Sequence, residues 1–284
     1  MPRGRVIKNY NGYYYVDPGS GGAVECRRRG KMKEKILVGD MVEFTATGVQ
    51  KGVIEKTEPR KNSLRRPAVA NIDAMFIVMA AAAPDPSRFL IDQMLMTCEY
   101  DGIHPSLCFN KCDLNKPLAE EYAAFYRRCG YAAYPVSACT GEGIDSLKAL
   151  LDGKVTAFAG PSGVGKSSLL MRIIGRELAV GKVSDKIGRG RHTTRHSEIM
   201  KLREQTYVID TPGFSALDFT HLKEKEITSL MPDLAKYSGH CRFSSCLHRS
   251  EPDCSVKQAL AEGKILRERY DTYCKIEDSI AERK

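Results

Sequence analysis

The residues from Gly160 to Ser168, reading GPSGVGKSS, have the composition of a phosphate cradle. They fit G-x-x-x-x-G-K-[ST] with Gly160, Gly165, Lys166 and Ser167 in the fixed places and Pro161, Ser162, Gly163 and Val164 between them. Glycines let backbone N–H groups approach an anion with no Cβ in the way, and a helix starting at the loop offers further N–H groups. Lys166 would reach the outer phosphates and assist their transfer, while the Ser167 hydroxyl would hold Mg2+, with Ser168 beside it on the first helical turn. A second group, Asn110-Lys111-Cys112-Asp113, fits N-K-x-D. A carboxylate at Asp113 can accept both the ring N1–H and the exocyclic amine of guanine, a donor pair that adenine lacks. On its own this four-residue motif could equally be a polar turn. Ser137 and Ala138 would back the base, and Cys139 stands where a lysine is common. A third group, Asp210-Thr211-Pro212-Gly213, fits D-x-x-G, in which Asp210 would hold Mg2+ through water and the Gly213 N–H would face a γ-phosphate.

Hydrolysis also needs a group that positions water. Many nucleotide hydrolases place a Gln after D-x-x-G, whereas Phe214 follows here, so the water must be oriented from elsewhere. Lys182 to Arg195, reading KVSDKIGRGRHTTR, supplies a candidate in His192, which titrates near neutrality. A solvated loop histidine is the plainer alternative. Thr194, or next Thr193, could close over Mg2+ and the γ-phosphate. Farther on, Cys241-x4-Cys246-x-His248-x5-Cys254 offers three thiolates and one imidazole, a complete tetrahedral set for one structural Zn2+. With all four positions filled by protein, the ion would be structural rather than catalytic.

These groups must be held by strands and helices. VTAFA before the phosphate loop reads as a buried strand and SLLMRIIG after it as an amphipathic helix. Upstream, strand-like IDAMFIVMA, HPSLCFN and YAAYPVS alternate with helical SRFLIDQMLMTCEY, LAEEYAAFYRRCG and IDSLKALL, and TYVID supplies a last strand. Such alternation predicts a parallel sheet flanked by helices on both faces. N-K-x-D ends one of its strands, which makes nucleotide specification a better reading than a turn. Residues 1–64 instead read as short strands, RVIKNY, GYYYVD, AVECRRR, KILVGDMVEF and KGVIEKTE, separated by turns such as Asp17-Pro18-Gly19. Five short strands with three consecutive tyrosines and Arg27, Arg28 and Arg29 suit an OB-like barrel whose face binds RNA by stacking and charge. Tyr13 and Tyr15 share one side of their strand, which could be that face or the core.

The expected organisation is therefore a multidomain α/β chain. It has an OB-fold β-barrel over 1–64, a P-loop domain over 65–218, and a mostly helical zinc-binding domain over 219–284. The motif order is unusual. Ordinary regulatory GTPases begin with the P-loop and place N-K-x-D late; here N-K-x-D comes first, so the nucleotide domain is circularly permuted. Permutation runs D-x-x-G straight into the C-terminal segment, which could act as a lever moved by the γ-phosphate or as a passive cap.

Charge and composition bound the partners. The net charge of +9 is concentrated in residues 1–64, with 13 Lys/Arg against 7 Asp/Glu, and in the stretch 181–206, with 7 against 3, read as a loop. A polyanionic partner beyond the nucleotide fits this, a merely solvated basic face being the alternative. No apolar run approaches the ~20 residues of a membrane span, and the start, MPRGR, leads into no apolar stretch, so a cytoplasmic protein is expected. The ten cysteines do not read as a disulfide framework; six lie singly between Cys26 and Cys139, mostly in apolar stretches where a small buried hydrophobe belongs.

With permuted N-K-x-D, P-loop and D-T-P-G, a basic N-terminal barrel and C-x4-C-x-H-x5-C in one chain, the sequence closely resembles the RsgA (YjeQ/YloQ) family of bacterial ribosome-assembly GTPases over essentially its whole length. The resemblance implies hydrolysis of GTP to GDP and phosphate, stimulated by the small (30S) ribosomal subunit, and a role in late maturation of that subunit, with 16S rRNA and neighbouring proteins as partners. It matches the family's water-orienting loop histidine to His192 and its switch threonine to Thr194. Pro161 and Cys139 depart from the family pattern at variable positions. A monomer with one Zn2+, and Mg2+ bound with GTP, is expected. The alternative activity is a GTP-dependent RNA-binding switch in which hydrolysis is incidental, or a GTPase serving another RNA or protein.

Overall fold

The computed structural model describes residues 1–30, 32–64, 68–175, 198–210 and 222–282. The chain opens with strands β1 Arg3–Tyr10, β2 Tyr13–Asp17, β3 Val24–Arg28, β4 Met41–Gly48 and β5 Lys51–Thr57. They pair in the order β1-β2-β3-β5-β4, with β3 and β5 parallel, and β4 returns to β1. That closure removes the exposed edges and gives the five-stranded OB-type barrel expected. Alternate residues fill it: Val6, Tyr14, Val16, Cys26, Val42, Phe44 and Ile54 are buried together. Because Tyr14 points inward, Tyr13 and Tyr15 point outward, which settles the choice between core and face. The Arg27 guanidinium lies 4.7 Å from the Tyr13 ring centre and the Lys8 ammonium 5.8 Å from that of Tyr15.

A small hairpin, β6 Ser63–Leu64 with β7 Val69–Ala70, leads into alternating elements: β8 Ala74–Ala80, α1 Arg88–Tyr100, β9 His104–Asn110, α2 Lys116–Arg128, β10 Ala132–Pro135, α3 Ile144–Leu151, β11 Val155–Ala159 and α4 Lys166–Ile174. After them come β12 Glu198–Arg203 and β13 Thr206–Asp210. The order β10-β9-β8-β11-β13 is parallel throughout, and β12 adds antiparallel to β13. Strands β8 and β11 are buried at every residue, as central parallel strands covered on both faces must be. Met75, Ile77 and Met79 face the layer containing α1 and α2, while Phe76, Val78 and Ala80 face α3 and α4. Of the six single cysteines, five are buried in these cores and Cys139 is exposed.

The stretch 181–206 was expected as one basic loop, but it contains β12. This strand alternates weakly and carries Lys201 and Arg203, which masked it in the sequence. It also joins the two sheets, because Lys8 of β1 pairs with Glu198 of β12. The barrel and the nucleotide-domain sheet thus form one run of hydrogen-bonded strands.

The C-terminal region holds α5 Glu224–Ile227, α6 Pro232–Ser238, α7 Ser255–Ala261 and α8 Arg267–Ala281. Its core of Leu222, Ile227, Met231, Leu234, Val256, Tyr273 and Ile276 also takes in Met96 of α1, so the region packs on the nucleotide domain. Arg269, fully buried on α8, fixes that packing. Its Nη1 lies 2.5 Å from Asp92 of α1 and its Nε 3.1 Å from Asp233 of α6. The Tyr126 hydroxyl of α2 donates to the same Asp92 at 2.9 Å.

Candidate functional site

Among the described residues, the P-loop, N-K-x-D, Ser137-Ala138 and Asp210 fall at the carboxyl ends of parallel strands, the edge where open α/β sheets bind ligands. Ala159 of β11 runs into the P-loop, and α4 starts at Lys166 with no side chain capping it, leaving its first N–H groups to an anion. The glycines are needed at two positions. Gly160 has φ +142 and a Cβ there would strike the Val78 carbonyl; Gly165 has φ +89 and its Cβ would strike the Asn110 amide. Lys166 arches over the loop, its Nζ donating to the Gly160 carbonyl at 2.6 Å and the Pro161 carbonyl at 2.8 Å. Ser162, Gly163, Ser167 and Ser168 are exposed along this edge, and Val164 is buried beneath it.

Asn110 ties the N-K-x-D strand end to the P-loop and to the loop at Ser137-Ala138. It is 2% exposed at the end of β9, donates through Nδ2 to the Val164 carbonyl at 2.8 Å, and accepts from the Ala138 N–H at 3.0 Å. One amide therefore fixes the P-loop and the base loop against each other. Beyond it, Lys111 adopts φ +63 and donates to the Ala83 carbonyl at 2.7 Å, Cys112 is buried with its N–H on the Val136 carbonyl at 3.1 Å, and Asp113 is exposed. The base loop is folded by buried Ser137, whose Oγ accepts from the Thr140 N–H at 3.0 Å. A clip that the sequence reading missed closes the same region: Lys116 Nζ contacts Glu142 Oε1 at 2.7 Å, and that bond holds the Glu142 carboxyl below its ordinary value. The signal was only a basic and an acidic residue flanking two turns.

Asp210 ends β13. Because Ala157 pairs with Ile209, the Asp210 main chain is level with Phe158, one residue short of the end of β11, beside the P-loop. Gly213, His192, Thr193 and Thr194 lie outside the described residues. The Mg2+ donors expected from sequence, a hydroxyl on Ser167 and a carboxylate on Asp210, are oxygen groups suited to a hard cation.

Near the C-terminus, Cys241, Cys246, His248 and Cys254 bring their ligand atoms within 4.8 Å of one another and could hold one metal ion. A tetrahedron with Zn–S near 2.3 Å and Zn–N near 2.05 Å has S···S edges of about 3.8 Å and S···N edges of about 3.6 Å. Here Cys241 and Cys254 Sγ are 3.9 Å apart, and His248 Nδ1 is 3.5 and 3.4 Å from them, so the donor set fits. Burial tends to raise the Cys241 thiol, but the N–H groups of Ser255 and Val256 at the start of α7 outweigh it and lower it. Cys246 is pushed up to about 12, chiefly by burial and then by the Cys254 thiol, although the His248 N–H favours its thiolate. His248 sits at φ +60, and the hydroxyls of Tyr270 and Tyr273 on α8 donate to the carbonyls of His248 and Leu247 at 2.7 and 2.8 Å. The cluster thereby anchors the final helix.

An OB-type barrel joined edge to edge with a P-loop sheet whose base-reading strand precedes its phosphate strand defines a circularly permuted GTPase architecture. Family models described as the RsgA N-terminal domain and the RsgA GTPase match residues 3–54 and 57–220. The chain belongs to the RsgA GTPase family. It is 42% identical over 287 residues to the small ribosomal subunit biogenesis GTPase RsgA of Agathobacter rectalis, covering 95% of each chain. Among solved structures it resembles YloQ, described as a circularly permuted GTPase, at 34% identity and a TM-score of 0.85, over 100% of this chain and 96% of that one. It also resembles YjeQ from Thermotoga maritima at 34% identity and a TM-score of 0.87, over 100% and 99%.

Proposed function

We propose that this protein is a GTP hydrolase that binds the small ribosomal subunit late in its maturation and hydrolyses GTP to GDP and phosphate in response to it. The observation that carries the nucleotide reading is Asn110, which ties the guanine-reading loop to the P-loop. The ribosomal reading is supported by the names of the relatives and, independently, by the outward Tyr13 and Tyr15 with Arg27 and Lys8 beside them on a basic barrel. Rings and cations on one face suit unpaired bases and phosphates.

In this reading Asp113 accepts from the guanine N1–H and amine, backed by Ser137 and Ala138, while the amides of residues 160–168 and Lys166 stabilise charge on the transferring phosphoryl group. Ser167, Thr194 and Asp210 would hold Mg2+, which neutralises phosphate charge when bound. Thr194 would close over the γ-phosphate, His192 would orient the attacking water, and the Gly213 N–H would sense the γ-phosphate. Cys241, Cys246, His248 and Cys254 would hold one structural Zn2+. The chain divides into 1–64, 65–218 and 219–284 and works as a cytoplasmic monomer; no described helix is long and apolar enough to cross a membrane.

Co-sedimentation with purified small subunits tests the reading. Association in the presence of a non-hydrolysable GTP analogue should exceed that with GDP and should weaken as salt rises. Equal association with both nucleotides would overturn a GTP-timed role.

A further inference from the structure

Among the described residues, the barrel meets the nucleotide domain at both ends of the sheet. The linker attachment lies at the amino ends of β8 and β11, where Asp73 accepts from the Val155 N–H at 2.9 Å and from Lys61 at 2.9 Å. That end faces away from the nucleotide loops. The other attachment lies at their own end. Lys8 of the barrel pairs with Glu198 of β12, and Glu198 pairs with Asp210 of β13. A single transverse row therefore runs from the barrel through the first residue of β12 to the aspartate that opens D-T-P-G. In sequence, β12 directly follows the stretch that carries His192 and Thr194. The Lys8 ammonium also lies 3.6 Å from the Glu198 carboxylate while reaching towards the Tyr15 ring on the outer barrel face.

Three residues back along β12 and β13, level with Val155 at the amino end of β11, a largely buried clamp holds this row in register. Asp17, 5% exposed at the end of β2, receives the Tyr207 hydroxyl of β13 at 2.9 Å and the Lys201 ammonium of β12 at 3.0 Å. Lys201 also donates to the Gly19 carbonyl at 2.8 Å. Burial opposes ionisation of Asp17, yet the bonds from Lys201, the Gly19 N–H and Tyr207 outweigh it and hold the carboxyl below its ordinary value. Arg5 completes the contact, its guanidinium 5.2 Å from the Tyr207 ring centre and donating to the Gly39 carbonyl at 3.1 Å. A barrel displaced by a ligand cannot leave β12 and β13 in place without breaking a charge-assisted bond to the buried Asp17 carboxylate.

We propose that the Lys8–Glu198–Asp210 row, kept in register by the Asp17, Lys201 and Tyr207 clamp, is the route by which RNA seated on the barrel sets the hydrolytic site. The three clamp residues are positioning residues for GTP hydrolysis. The proposal rests on the reading that the small subunit stimulates turnover. Asp17, Lys201 and Tyr207 bond to one another and to Gly19, away from the P-loop and the N-K-x-D loop, so intrinsic turnover should persist without them.

The test compares intrinsic and subunit-stimulated kcat for full-length wild type, Lys201→Met and Tyr207→Phe, with subunit association measured in parallel. The clamp predicts a loss of about fivefold or more in stimulated kcat, with intrinsic kcat and association each within about twofold of wild type. Lys201→Arg, which keeps a cation opposite Asp17, should recover most of the stimulation. Undiminished stimulation in both variants overturns the coupling while leaving the functional reading intact, and an equal fall in intrinsic and stimulated rates reduces the clamp to a structural role. A wild type that subunits do not stimulate overturns the functional reading itself.

Discussion

Asn110→Ala isolates the joint between base reading and phosphate binding. The substitution removes two hydrogen bonds and leaves the Val164 carbonyl and the Ala138 N–H without that partner, Val164 itself being 1% exposed. A neutral hydrogen bond contributes about 1 kcal/mol net, and a buried group left unsatisfied costs about 1–3 kcal/mol, so the joint loses about 2–4 kcal/mol. If that loss falls on the bound arrangement of the two loops, guanine-nucleotide affinity drops about 30- to 700-fold. Among the described residues the Asn110 amide bonds only to Val164 of the P-loop and Ala138 of the base loop, so GDP and GTP should weaken by the same factor. Titration of a fluorescent guanine nucleotide, displaced by GDP or by a non-hydrolysable GTP analogue, reads both affinities. Asn110→Asp keeps the acceptor for Ala138 but sets a carboxylate against the Val164 carbonyl, and should be no better than alanine. Affinities within about threefold of wild type, or a loss confined to GTP, would refute the reasoning.

Other perturbations test separate parts of the molecule. Asp113→Asn exchanges an acceptor pair for a donor and an acceptor, so affinity should pass from guanine to xanthine nucleotides, whose second position carries a carbonyl; unchanged preference in competition binding contradicts the assignment. Protein purified without added metal should carry about one equivalent of zinc, and its removal should change the near-ultraviolet signal of Tyr270 and Tyr273, which bond to the cluster's backbone. A metal-free protein with the native spectrum would contradict the site. Arg269→Met strands Asp92 and Asp233 as buried carboxylates and should lower stability to urea by about 3–5 kcal/mol, whereas a loss below about 1 kcal/mol would mean that the triad contributes little. His192→Ala should abolish subunit-stimulated hydrolysis with association intact; unchanged stimulation removes His192 from catalysis.

What the sequence revealed and what it hid follow from the range of the interactions. The P-loop is legible because only glycine suits Gly160 and Gly165, where a Cβ would strike Val78 or Asn110, and the zinc cluster because its four ligands lie within one short stretch. Three consecutive tyrosines alternate in either phase. Only the burial of Val16 beside Tyr14 settles that Tyr13 and Tyr15 face outward. Strand β12 was hidden because its partners come from both sides. One of them is the barrel, and Lys201 meets Asp17 across 184 residues of chain. Arg269 lies in RERYD, which reads as a solvated helical stretch, and nothing local signals that Asp92 and Asp233 bury it. Local backbone demands can be read from one sequence, but pairings that join the barrel to the nucleotide domain cannot.

The most direct test of a ribosome-timed GTPase is GTP turnover with and without purified small subunits, followed by phosphate release from full-length, zinc-replete protein. Turnover should be slow alone and rise severalfold with small subunits but not with large ones. An intrinsic rate that small subunits leave unchanged would contradict the account.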